Sequence, residues 1–295
     1  MRITIEIQGG TMRRSLRVAI VMGLFIFTAN SARAAQWEKT YKISGHASLR
    51  VETNDASIEV EAGDAPEIHA RVITNGWDLS PSEVRITRDY QSGDRVEIEV
   101  TVPRMHWSWS GSNRSVRIEI TVPRSANLDL HSGDGHINVS GVSGDLRIDT
   151  GDGHVTATDL HGSIRIRTGD GHIEASGLDG TLDAMTRDGR VHIRGRFDAL
   201  RLETGDGSVS AEILPGSKMS NDWSVRTGDG SVTVRLPDGF AAQVDAHTGD
   251  GRISSQLPIT VSGSIGSSDL RGKLGAGGST FLIRTGDGSI RLERM

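Results

Sequence analysis

Apolar and polar residues alternate along nearly the whole chain from residue 37 onward. The pattern runs through 47–53, 57–61, 67–73, 83–87, 95–102 and 115–122. A period of two sends successive side chains to opposite faces, so these stretches predict β-strands with one buried face. Gly, Pro, Asn or Ser bounds each of them, as turn chemistry requires. No stretch of this region holds a 3.6-residue period, and essentially no helix is expected.

From residue 132 the alternation acquires a repeat. A Thr-Gly-Asp-Gly turn begins at Thr150, Thr168, Thr204, Thr227, Thr248 and Thr285, with near-copies at Ser132 and at Thr186, where Arg187 replaces the first Gly. The first five copies start 18 residues apart, and the later units are 23, 21 and 37 residues long. Asn54-Asp55-Ala56 reads as a degenerate copy. Within a unit the sixth position is apolar (Ile137, Val155, Ile173, Val191, Val209) and the eighth small or branched (Val139, Ala157, Ala175, Ile193, Ala211). A second apolar pair follows, as in Leu146/Ile148 and Ile164/Ile166. Each unit thus holds two short strands whose apolar face no single unit can bury. Stacked copies bury it against one another. The predicted fold is all-β: a parallel β-solenoid, or β-helix, of about 18-residue two-strand repeats over 126–295. Residues 35–125 would form a more irregular β region with the first layers and cap loops. Gly-containing turns also serve hairpins, so an antiparallel sandwich or meander stands as the alternative. Arg291, Glu293 and Arg294 suit a charge-guarded, exposed last strand.

The repeated turn residues are Asp134 and Gly135, Asp152 and Gly153, Asp170 and Gly171, Asp188 and Gly189, Asp206 and Gly207, Asp229 and Gly230, Asp250 and Gly251, and Asp287 and Gly288. The second Gly is expected at positive φ, which only Gly adopts cheaply. The Asp side chain is expected to accept a backbone N–H two residues on and fix the corner. The next position, His136, His154, His172, Arg190 and Arg252, sets a partly cationic row beside the acidic one. One carboxylate per layer falls short of the six to eight oxygens calcium takes. A structural role for the Asp row is therefore expected, with no metal and no cofactor. The chain lacks a Ser-His-Asp grouping, a phosphate loop and an HExxH motif, so a non-enzyme is expected.

Composition adds a compartment. Arg13, Arg14 and Arg17 precede the apolar run 18–27, and Ala32-Arg33-Ala34 supplies small residues for cleavage. Residues 1–34 therefore read as a signal peptide, and the protein as exported, periplasmic or extracellular. The apolar run is shorter than the roughly 20 residues of a membrane helix, and the mature chain carries no predicted span. Cysteine is absent from the 295 residues, which removes disulfides and thiol chemistry. Net charge is -5 overall. The first 34 residues hold five Arg and one Glu, which leaves -9 for the rest. Nucleic acid is a poor partner for such a surface.

Aromatic residues make up only 4% of the chain. Three of them, Trp77, Trp107 and Trp109, fall in polar loops between predicted strands. They are the candidate ligand-binding residues, for a surface glycan or an envelope protein. The competing reading has these loops covering the end of the stack. The long insertion at 262–279 is read as an extra strand or a protruding loop.

The T-G-D-G-[HS]-[IV] repeats, the early LRVET…SIEVE and the late TGDGSIRL resemble a bacterial adhesin-like family of unknown function. They are also similar to the head domain of autotransporter adhesins. The resemblance covers about residues 40–295. It implies a β-solenoid, an envelope or extracellular location and an adhesive role, and it brings no catalytic residues. A structural or envelope-stress accessory is the alternative, with a polysaccharide-active enzyme behind it.

Overall fold

The computed structural model describes residues 36–103, 114–261 and 266–295. The leader segment, Trp107 and Trp109 lie outside the described residues. Every regular element among the described residues is a strand, and all the strands join one hydrogen-bonded network.

The strands stand in two rows. The first row begins with Arg85–Ser92, then runs Arg95–Thr101, Ala47–Thr53, Ala126–Ser132, Ser143–Thr150 and His161–Thr168. The second begins with Gln36–Lys42, then runs Glu67–Asn75, Ser115–Pro123, Ser57–Gly63, Ile137–Ser140 and Val155–Thr158. Both rows then share Ile173–Met185 and Val191–Thr204, long strands that each run through both. Neighbours within the stack are parallel. The antiparallel pairs lie at its two ends, formed by Gln36–Lys42, Glu67–Asn75 and Arg85–Ser92 at one end and by Ile259–Val261 and Asp269–Leu274 at the other.

Register explains the core. Ile164 lies opposite Leu146 on one side and Leu182 on the other, and Ile166 opposite Ile148 and Ala184. In the second row Val155 lies between Ile137 and Ile173. All are buried, as are Val142, Leu160 and Leu178 at the second corner. Full burial of such a side chain contributes about 1.5–3 kcal/mol. Near the far end the core widens to take Trp223. Its ring lies 5.5 Å from Phe240 and 5.7 Å from Phe281, and its Nε1–H donates to the Asp198 carbonyl at 3.3 Å.

Chain order and stacking order part at both ends. Ala47–Thr53 sits between Arg95–Thr101 and Ala126–Ser132, and Ser57–Gly63 between Ser115–Pro123 and Ile137–Ser140. At the other end Thr280–Thr285 threads between Trp223–Thr227 and Ala242–Thr248. Ile290–Arg294 likewise threads between Val232–Leu236 and Ile253–Ser255. The last strand is therefore interior, which corrects the reading of Arg291, Glu293 and Arg294 as guards of an exposed end. Glu293 instead pairs sideways with Arg235 at 3.1 Å, and Arg294 pairs with Asp238. The insertion makes the detour possible. Its strand Asp269–Leu274 runs antiparallel on the outer edge of Ala242–Thr248, and the chain then returns to the inner edge.

At the opposite end Asp89 ties the outermost strands of the two rows together. Its carboxylate accepts from Lys39 Nζ at 2.7 Å and from Tyr41 Oη at 2.7 Å. Gln91 Nε2 adds a bond to the Lys42 carbonyl at 2.9 Å. Burial of Asp89 opposes its charge, but the bonds from Lys39 and Tyr41 outweigh that and hold the carboxyl below its ordinary 3.8. Burial, then the bond to Asp89, pushes the Tyr41 phenol above its ordinary 10.0.

Two outcomes test this arrangement. A chain ending at residue 279 should lose amide protection across 223–261, because its core loses Phe281, Ile283, Ile290 and Leu292, while 126–204 stay protected by hydrogen exchange. Asp89→Asn should cost about 1 kcal/mol at neutral pH, the scale of a partly exposed charged hydrogen bond. A carboxyl with a lowered folded pKa stabilises above its unfolded value and loses that stabilisation as pH falls through the folded one. The gap between the two proteins in denaturant titrations should therefore close as pH drops below 3.8.

Candidate functional site

The repeated turns form one column along the stack. The Gly169 N–H donates to the Gly151 carbonyl at 2.5 Å and the Gly151 N–H to the Gly133 carbonyl at 2.6 Å, so each turn hangs from the one before it. The column starts at Asn54, whose carbonyl accepts the Asp134 N–H at 2.9 Å. At the far end Gly286 bonds to Gly228, and Asp250 to Gly286, in the threaded order.

Two expectations about this turn are corrected. The second glycines are not in the left-handed region; positive φ occurs instead at such positions as Gly144, Gly162 and Gly180 in the second corner. Space is what selects Gly in the first corner. A Cβ on Gly153 would meet the Gly135 carbonyl oxygen well inside 3.0 Å, and the same holds for Gly171 over Gly153 and Gly207 over Gly189. Nor does the Asp side chain hold the corner. The Thr hydroxyl does: Thr168 Oγ1 accepts the Gly171 N–H at 3.2 Å and faces the Gly153 carbonyl of the previous layer at 3.0 Å. Thr186, Thr204, Thr227 and Thr285 repeat this, and Ser132 does so over Ala56. These hydroxyls are buried, where an unpaired carbonyl is costly. The signal was present in the sequence as the invariably hydroxylated first position of the turn.

With the corner closed by Thr and Gly, the Asp carboxylates point outward. Asp134, Asp152, Asp170, Asp188, Asp206, Asp229, Asp250 and Asp287 are all exposed. Asp170 meets Arg187 at 3.5 Å. Beside them, the rings of His136, His154 and His172 stack at 5.0 and 4.9 Å, within 10° of parallel. Each Nδ1 accepts the backbone N–H of the next layer at 3.0 Å: His154 on His136, His172 on His154 and Arg190 on His172. The accepting Nδ1 atoms tie each ring to the backbone of the next layer. Among the described residues no cluster of three or more His, Asp or Glu is placed to hold a metal ion.

Trp77 rests half-buried against the core. Its carbonyl accepts Thr74 Oγ1 at 2.7 Å, and the Arg114 guanidinium lies 4.5 Å over its ring. Trp77 is thus packed beneath Arg114, while Trp107 and Trp109 lie outside the described residues.

The outer side of the first row holds a feature not anticipated from the sequence. Two adjoining depressions of about 510 and 340 Å³ share Ser163 and Arg165. Along them Arg50, Asp129, Arg147, Arg165, Asp183 and Arg201 occupy equivalent positions on six successive strands. Arg50 pairs with Asp129, and Arg147 with Asp149 at 2.6 Å. Arg165 pairs with Asp183 at 3.4 Å and Arg201 with Glu203 at 2.9 Å. Charge alternation was visible strand by strand, but the alignment into one trough depends on stacking.

An apolar interior built from register, and charge confined to outer faces, define an all-β, solenoid-like protein. The chain belongs to the Toastrack DUF4097 family, whose pattern matches residues 46–293. Among solved structures it is similar to a provisionally named lipid-binding protein from Parabacteroides distasonis, at 14% identity over 88% of this chain and 98% of that one, with a TM-score of 0.49. It is also similar to a provisionally named cell adhesion protein from Clostridium sporogenes, at 12% identity over 89% and 100%, TM-score 0.31. A provisionally named adhesin from Bacteroides fragilis shows 8% identity over 88% and 98%, TM-score 0.39. No curated protein sequence matches the chain. No helix among the described residues is long and apolar enough to cross a membrane.

The turn gives a direct test. Gly153→Ala should destabilise by about 3 kcal/mol, the upper range for overpacking, while Gly93→Ala, with open space around it, should cost only the 1–2 kcal/mol or so of a left-handed backbone. Thr168→Val, which keeps the shape and removes the hydroxyl, should cost about 1–3 kcal/mol. Thermal and denaturant unfolding read all three.

Proposed function

We propose that this chain is an exported, non-catalytic binding module of the bacterial cell envelope, adhesive in role. Its frame is a parallel β-solenoid of about 18-residue two-strand coils over 126–295, with residues 35–125 supplying the first layers and cap loops. Residues 1–34 act as the export signal and are removed. One observation supports this reading most: the outer faces carry charged and hydroxyl side chains in register on successive strands, while the core uses none of them. Repetition of that kind makes an extended surface that suits a large or repetitive ligand. The basic start, the apolar run at 18–27 and the small residues at 32–34 support export.

Trp77, Trp107 and Trp109 are proposed as ligand contacts, since aromatic faces stack on sugar rings and partner surfaces alike. A surface glycan or an envelope protein is the proposed partner. Nucleic acid is not, given the -9 of the mature chain. A glycan and envelope-protein array probed with the mature chain tests the reading. A specific signal is expected, reduced about tenfold in a Trp107→Ala/Trp109→Ala variant, the scale of one lost aromatic contact. A blank array would favour a structural or envelope-stress accessory in its place.

A further inference from the structure

The trough along the first row carries a charged side chain on each of its six strands. Along it, cross-strand neighbours of opposite sign predominate: Arg50 beside Asp129, Asp129 beside Arg147, Arg165 beside Asp183, Asp183 beside Arg201. At the centre Arg147 and Arg165 stand directly opposite each other. Like charges so placed are destabilising. Arg167, two residues along on the same face, makes no ion pair among the described residues. Arg147 and Arg165 remain about half exposed, at 50% and 51% of their side-chain surface. Their ion pairs with Asp149 and Asp183 are of the weak, exposed kind, so a ligand carboxylate can compete for both guanidinium groups. Each guanidinium also has donors to spare, since it carries five N–H groups.

We infer that this trough binds a linear acidic polysaccharide laid along the stack axis, with one uronate carboxylate shared by Arg147 and Arg165. The inference rests on the binding-module reading and assigns it a site and a ligand class. Strands in a row repeat every ~4.8 Å, so an extended chain on the axis meets an equivalent side chain at each step. An extended β-1,4-linked uronate ribbon advances by a similar length per sugar and turns over at each one. It therefore presents a carboxylate to one side every second sugar. A carboxylate shared by Arg147 and Arg165 then sets the next ones beside the Arg50–Asp129 and Asp183–Arg201 pairs, two strands away on either side. Between the cations Asp129, Asp145, Ser163 and Asp183 offer acceptors for sugar hydroxyls. Those same acids oppose a denser polyanion. A nucleic acid, with a phosphate at every nucleotide, needs a more uniformly basic track.

Isothermal titration of the mature chain with β-1,4-mannuronate oligomers, and with neutral cello-oligosaccharides of matched length, tests the assignment. Affinity for the acidic series should rise with length up to about six sugars, one per strand of the trough, and fall as salt is added. Arg147→Gln/Arg165→Gln should weaken it at least tenfold with no loss of melting temperature. Arg194→Gln, an exposed arginine on the outer face of the second row, titrated alongside, should leave it unchanged. Equal binding of both series, no binding of the acidic series, or unchanged affinity in the arginine variant would each overturn the inference. The wider binding reading fails only if the array is blank as well, so the two failures are distinguishable.

Discussion

The contact on which the structure depends is the approach of one turn backbone to the next. Gly153 lies so close to Gly135, and Gly171 to Gly153, that no side chain fits between them. That closeness lets the Gly151 and Gly169 amides bond straight down the column. It also buries the carbonyls of the second glycines, which then need donors. The Thr hydroxyls at the first position supply them while capping their own turn. Glycine and threonine are thus two halves of one device: close approach creates the buried acceptor, and the hydroxyl satisfies it.

Register follows from that device. Once the turns stack without slip, the residues flanking them must align, and a one-residue slip would turn every apolar side chain outward. The ladders of Ile137, Val155 and Ile173, and of Leu146, Ile164 and Leu182, are therefore consequences of the corner as much as causes of the core. The ends obey the same rule in a different chain order. Thr285 donates to the Gly230 carbonyl and Thr248 to the Gly288 carbonyl, so the final coil fits the column although it arrives last. Its pairings are far apart in sequence, and such contacts form late and slowly. Among the described residues antiparallel strands close the first end, and the far end closes on antiparallel Asp269–Leu274 and on Ile253–Ser255, a parallel edge of only three residues.

Much of this was legible in the residues. Alternation marked the strands, and the inward positions named from it, such as Ile137, Val139, Leu146 and Ile148, are buried. The all-β class followed directly. The threading of the final coil was not legible, because Thr248 and Thr285 open identical turns and nothing local ranks one above the other. The role of the second Gly was misassigned for a related reason. A glycine required by a neighbour 18 residues away looks, in one dimension, the same as a glycine required by its own φ. The core position of Trp223 was not legible from its local sequence. Only its neighbours Phe240 and Phe281, brought in from distant segments, make it core. The candidate site was less legible still. Asp134 and its equivalents were prominent because they repeat, yet they project outward from a corner held by other groups. Arg147 and Arg165 were unremarkable as single residues, and their juxtaposition exists only across strands.

The same economy shapes what the molecule can do. Corner and core together use Gly, Thr and aliphatic side chains, so outward positions on every strand are free to vary without disturbing the fold. On the first row that freedom is spent on alternating acids and bases that mostly neutralise each other in place, as Asp183 does between Arg165 and Arg201. A surface balanced in this way resists non-specific attraction over most of its length. Within the trough the alternation breaks at Arg147 and Arg165, where the two depressions meet. A scaffold that repeats its side chains at the spacing of its strands can meet a repeating ligand at several points with modest contacts. Affinity then grows with the number of coils engaged, and no deep pocket is needed.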